Sequence, residues 1–356
     1  MEQGAVEETG GPTKRSPAGG LRRRRHLTAW LFMVPMVVIN VLVILGPSVA
    51  TIYFSFTEWS GIGPAEFVGL QNYRDLLADG DFWIAMWHNV VWTILFLTVP
   101  IAMGLLGAFL LSQIKRFQMF FRIAYFIPFV VASVVNCALW QNILDPERGI
   151  GSTLASIGIP FLDGVSFFGN TRLALPSVAF VNNWAWWGFV LLLFLTALQS
   201  VDHELYEAAR IDGAGRWQQF LNVTLPGIRP TFIFVVLLTI INSLLVFDYV
   251  FIVTRGGPAG ASEVVGTLMW KQAFERFEAG YASAMGLSLS FVSGVIVLIF
   301  IFLRRRGWEV RISPRGAAKG ANPQRYRTTS SSLSWRSSPS GRSWLSCSTR
   351  SSRAPR

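Results

Sequence analysis

Apolar residues fall into six long runs separated by short polar gaps, at roughly 29–56, 83–112, 118–141, 173–199, 231–254 and 281–303. A helix needs ~20 mostly apolar residues to cross the hydrocarbon layer, because in lipid the backbone must satisfy its own hydrogen bonds. All six runs meet that length. The pattern predicts an all-α polytopic membrane fold with about six transmembrane helices. Pro35, Pro47, Pro100 and Pro128 lie inside the first three runs. Such kinks are tolerated in lipid where neighbours re-satisfy the freed carbonyls. The first run is about twice as long as a signal-peptide core and meets Glu58-Trp59 instead of a small-residue cleavage site, so it reads as a retained helix.

Composition supports this reading. The chain is 52% hydrophobic and 14% charged, where soluble domains carry roughly 25% charged residues. The formal charge of +11 first suggests nucleic acid. A nucleic-acid surface, however, spreads its cations over solvated faces among aromatics. Here they collect at the ends and in the gaps, which argues against a nucleic-acid partner. The arm before Leu27 carries six Lys/Arg, the second gap has Lys115, Arg116 and Arg122, and the fourth has Arg210, Arg216 and Arg229. Arg304, Arg305 and Arg306 close the last run. The opposite loops mix their cations with acids. The positive-inside rule then predicts a multi-pass protein of the cell membrane with both termini cytoplasmic. Cys137 and Cys347 give no disulfide framework, and His26, His88 and His203 lack ligand spacing. No metal site or cofactor is indicated.

Three regions follow. Residues 1–26 read as a disordered basic cytoplasmic arm and 27–306 as the transmembrane domain. Residues 307–356 form a Ser/Arg-rich tail with no apolar periodicity, either disordered or the product of a slipped reading frame.

The gap between the fourth and fifth runs, 204–226, holds the most specific pattern. Glu207 to Ile211 should form a short helix that Gly213 ends with a positive φ. A second short helix should run from Gly215 to Val223 and stop before Pro226. Ala208 and Ala209 leave a shallow surface that a partner can approach closely. An interfacial anchor for the fifth helix would look similar.

Glu207-Ala208-Ala209, then Gly213, then Val223, Leu225 and Pro226 resemble the EAA signature of permease subunits of bacterial ABC importers. The Asp212-Gly213-Ala214 continuation looks like the carbohydrate branch, similar to maltose and glycerol-phosphate permeases. Phe67–Tyr73, Thr254-Arg255-Gly256-Gly257-Pro258 and Gly280–Ala284 agree with that family over residues 27–306. Val223 stands where the family usually has Ile, and the Ser/Arg tail matches nothing in it. The resemblance implies a type I importer permease fold. It implies that Glu207, Ala208, Ala209, Asp212, Gly213 and Pro226 couple to a cytoplasmic dimer of ATP-binding subunits. It also implies a second permease subunit, identical or similar, an extracytoplasmic sugar-binding protein and a carbohydrate substrate. The four lysines, Lys14, Lys115, Lys271 and Lys319, include none in a phosphate-binding loop. ATP chemistry would therefore belong to another polypeptide.

Polar groups at membrane depth are functional candidates. Asn242 and Asp248 lie in the fifth run, and Asn242 and Tyr249, seven apart, should share a helix face. Asn182, Asn183, Trp184, Trp186 and Trp187 form a polar-aromatic patch in the fourth. Amides and aromatic faces suit sugar hydroxyls and ring faces. Asn bridging helices and Trp marking an interface are the plainer explanations.

Two other functions are open to the sequence. Asp79-Gly80-Asp81 resembles the metal-binding Asp-x-Asp of membrane glycosyltransferases, although Asp81 capping the second helix, with Gly80 in the turn, is the plainer explanation. A secondary transporter would need coupling carboxylates, for which only Asp248 offers itself, and an internal repeat, which is not visible.

Overall fold

The computed structural model describes residues 30–114 and 116–307, apart from the side chains of 303–307. The arm 1–26 and the tail beyond Gly307 lie outside the described residues. Apart from one short two-stranded ladder, the described fold is all helix.

α1, Trp30–Phe54, contains a π-helical turn at Val41–Leu45 just before Pro47. The wider turn accommodates a residue that lacks an N–H and crowds the preceding carbonyls. None of its side chains is buried in this chain. A helix that is apolar all round and uncovered by its own chain belongs in lipid or against another subunit. β1 (Thr57–Glu58) pairs antiparallel with β2 (Glu66–Phe67). α2 (Gln71–Ala78) anchors this ladder, because buried Asn72 donates to the carbonyls of Ser55 and Thr57, both at 2.9 Å.

α3, Gly80–Ser112, starts on Asp79, whose carboxylate accepts from the amides of Asp81 (2.9 Å) and Phe82 (3.4 Å). The cap is thus Asp79, not the expected Asp81. The Tyr281 hydroxyl donates to the other Asp79 oxygen at 2.7 Å. Asp79 is therefore used for capping and helix docking.

α3 packs along α7, Ala174–Gln199, at the centre of the molecule. Small residues let the backbones approach closely. A Cβ on Gly104 would lie 2.6 Å from Val190, and one on Gly107 2.6 Å from Leu191. α4, Gln118–Val130, crosses α7 so closely that Gly188 lies beneath the Tyr125 carbonyl. Ile101, Ala108, Val190, Phe194, Ile228 and Val235 form the core on the side of the expected cytoplasmic loops. Trp92, Phe96, Leu175, Val178 and Val250 form the other half.

Two of the predicted spans are not continuous helices. The run 118–141 divides into α4 and α5 (Ser133–Ile143), bent by 99° at Val131-Ala132. Pro128 weakens the end of α4, and the buried Asn136 side chain donates to the carbonyls of Pro128 (2.9 Å) and Val131 (3.2 Å). The break therefore carries its own hydrogen-bond compensation. After α6 (Ile150–Ser156), α7 and the short hairpin of α8 (His203–Ile211) and α9 (Arg216–Gly227), the run 231–254 also divides. α10, Arg229–Leu244, ends before α11, Asp248–Val253. Asn89 of α3 bridges this second break. It donates to the Leu244 carbonyl at 3.4 Å and accepts from the Val265 amide at 2.9 Å, at the start of α12 (Val265–Phe274). α13, Ala279–Gly307, closes the described chain. Four of the described helices are long and apolar enough to cross a membrane alone, and there are six crossings if each bent pair, α4/α5 and α9/α10, counts as one.

Candidate functional site

The two helix breaks meet at one cavity of about 300 Å³. Val131 and Ser133 come from the first break and Leu245 to Tyr249 from the second. α7 adds Asn182, Ala185 and Trp186, and α10 adds Asn242. Phe96 and Phe129 complete an aromatic side. Trp186 is held rigidly. Its indole N–H donates to Thr239 Oγ1 at 3.2 Å, and its ring lies 5.5 Å from Phe96 and 5.9 Å from Phe129. Irregular backbone at membrane depth is tolerated where it lines a water-filled space. The non-helical segment 245–247, which lines the cavity, fits that condition.

Of the expected pathway residues, Asn182, Asn242, Asp248 and Tyr249 stand on this wall, whereas Asn183, Trp184 and Trp187 do not. Successive helical residues turn by about 100°, so a six-residue patch winds past the cavity and only one face reaches it. Asn183 is buried between helices, Trp184 meets Trp140 at 5.4 Å, and Trp187 meets Tyr125 at 5.6 Å. Asn242 and Tyr249 do not share a helix face, since the break at 245–247 lies between them. They reach the same cavity from separate helices. Ser133, Phe96 and Phe129 were not singled out in the sequence, where a serine or phenylalanine in an apolar run carries no signal.

The second region is the α8–α9 hairpin. Asp202 caps α8 by accepting from the Glu204 amide at 3.1 Å. At its end Gly213 adopts φ +77°. Its amide donates to Arg210 O and that of Ala214 to Ala209 O, at 3.0 and 2.9 Å. This pair of bonds closes a helix on a left-handed residue. Glu207, Ala208 and Asp212 are exposed on the hairpin, and exposed His203 lies 3.4 Å from the Glu207 carboxylate. The second helix does not stop before Pro226. A π turn at Phe220–Thr224 widens the backbone ahead of the proline, and α9 continues to Gly227. Tyr206 and Thr224 hydroxyls, 3.0 Å apart, tie the two helices together. Phe220 meets Phe109 of α3 at 5.9 Å, and Ile228 enters the core. The hairpin is thus packed directly onto α3 and continuous with α10.

Among the described residues no cluster of His, Cys, Asp or Glu could hold a metal ion. Residues 101–306 match the family described as binding-protein-dependent transport system inner membrane component. A probable ABC transporter permease protein, YurN of Bacillus subtilis, is 33% identical over 80% of this chain and 99% of its own length. The diacetylchitobiose uptake system permease protein NgcF of Streptomyces coelicolor is 32% identical over 85% of this chain and 94% of its own length. The fold is similar to a bacterial ABC transporter involved in the import of the acidic polysaccharide alginate. That match has a TM-score of 0.72 at 24% identity and covers 80% of this chain and 98% of that one. The type I importer permease fold is therefore present, and neither a glycosyltransferase nor an ion-coupled transporter fits. The chain belongs to the family of binding-protein-dependent transport system inner membrane components, and it is a membrane-embedded transport subunit, not an enzyme.

Proposed function

We propose that this subunit forms half of the translocation pathway of an ATP-driven carbohydrate importer in the cell membrane. The observation that carries the reading is the meeting of two broken helices and three polar side chains, Asn182, Asn242 and Tyr249, at one cavity. Amide and phenol groups hydrogen-bond hydroxyls, while Trp186, Phe96 and Phe129 offer faces to the C–H side of a sugar ring. Discontinuous helices around a central site also occur in ion-coupled transporters. Membership of a family of binding-protein-dependent transport components supports an ATP-driven reading over an ion-coupled one, and one similar protein is named a diacetylchitobiose uptake system permease. The partners in this reading are a dimer of cytoplasmic ATP-binding subunits, a second permease that is either identical or similar, and an extracytoplasmic sugar-binding protein. The α8–α9 hairpin, with Glu207, Ala208, Ala209, Asp212 and Gly213 on or beside its exposed surface, docks on the ATPase.

The test is to purify the assembly, identify the subunits that accompany the chain, and measure uptake across a panel of neutral sugars. Asn182→Ala and Asn242→Ala should each lower uptake by about tenfold at unchanged abundance, the loss of one well-placed hydrogen bond. Wild-type uptake of every sugar by both variants would remove the cavity from the pathway.

The same reading puts both termini in the cytoplasm. A reporter after Arg306 should be active on the cytoplasmic side, and one at Gly149 on the outer side. The reverse pattern would overturn the six-crossing topology.

A further inference from the structure

Among the described residues the cavity wall is neutral except for Asp248, and no Lys, Arg or His lines it. Asp248 is exposed within the chain, and among the described residues neither ion pair involves it. An unpaired carboxylate at membrane depth is costly unless it faces water, and such a residue is a functional candidate by default. Its local structural use is slight. It occupies the first turn of α11, a six-residue helix, where an uncharged residue could stand with little loss.

We propose that Asp248 makes the cavity selective by charge, admitting neutral or cationic saccharides and excluding uronates and phosphorylated sugars. This rests on the reading of the cavity as the sugar pathway. Within roughly 8 Å and at an effective dielectric near 20, one negative charge disfavours a second by about tenfold or more. The N-terminus of α5, at Ser133 on the same wall, contributes partial positive charge. That contribution weakens the field without cancelling a full charge. The same carboxylate accepts hydrogen bonds from sugar hydroxyls, so a neutral ligand gains where an anionic one is repelled.

The field can be measured without a sugar. Asn242→Cys places a thiol on the wall, in a chain carrying Cys137→Ala and Cys347→Ser and assembled with its partner subunits in membranes. Its modification rate is followed with a cationic trimethylammonium-ethyl and an anionic sulfonatoethyl methanethiosulfonate, each normalised to a free thiol in solution. The cation should be favoured about tenfold beyond the free-thiol ratio. Asp248→Asn should abolish that preference and Asp248→Glu should keep it. No cation preference, or one that survives Asp248→Asn, would overturn charge selection and leave the sugar reading standing. A sugar panel with no transported member would remove the carbohydrate reading and leave the measured field intact. If neither reagent reaches the thiol in either protein, the cavity is closed to water and both readings fall.

Discussion

Gly188→Ala should strip most of the folded protein from the membrane. A Cβ at this position would overlap the Tyr125 carbonyl oxygen and press on the Phe126 backbone, 3.4 Å from its Cα. These are backbone atoms, so no rotamer change can make room, and α4 would have to move away from α7. That movement would break the Phe129–Phe189 stack, at 4.7 Å, and the Tyr125–Trp187 contact, at 5.6 Å. Without a hydrophobic drive between helices in lipid, close packing of this kind holds a bundle together. Overpacking of this type costs about 3 kcal/mol, enough to lower abundance several-fold. Gly294→Ala is the control, because a Cβ there meets nothing within 4 Å. Detergent-extracted protein would be compared by size-exclusion profile and thermal midpoint. If Gly188→Ala matches the parent in both, the α4–α7 crossing is looser than described.

The second large effect concerns coupling. Gly213→Val should reduce uptake at least tenfold while membrane abundance stays normal. Space is not the difficulty, since a Cβ on Gly213 meets nothing within 4 Å. The difficulty is φ +77°, which a β-branched residue adopts at a cost of about 1–3 kcal/mol. Relief of that strain would undo the bonds from Gly213 and Ala214 to the end of α8 and turn its exposed face. Gly213→Asn should retain much of the function, because Asn tolerates the left-handed region. Glu207→Ala should give the same phenotype by removing a charge from the proposed ATPase contact, where the group left unpaired stays desolvated. ATPase co-purification and sugar uptake would be measured together for each variant. Full retention of both by Gly213→Val and Glu207→Ala would reduce the hairpin to an interfacial anchor. The packing of the hairpin explains how a displacement there could reach the pore. Tyr206–Thr224, Phe220–Phe109 and Ile228 link it without a flexible gap to α3 and α10.

The features legible from the residues alone are local in their physics. Run length bounds how many times the chain can cross lipid, because each run must satisfy its own backbone bonds. The turn at Gly213 was legible for the same reason, since glycine right after a short helical run is a local signal for a left-handed stop. Where the long runs break depends on packing between distant segments. Pro128 marks a weak point, yet the 99° bend depends on Asn136 reaching back to two carbonyls, and the gap at 245–247 depends on Asn89 from another helix. A sequence does not show which remote side chain will compensate an opened ladder. The candidate pathway residues divide along the same line. Asn182 and Trp186 face the cavity while Asn183, Trp184 and Trp187 face other helices, a matter of how α7 is rotated against α3 and α4. That rotation is set by glycines at 104, 107 and 188 meeting particular partners, and such close approach exists only once the bundle is assembled.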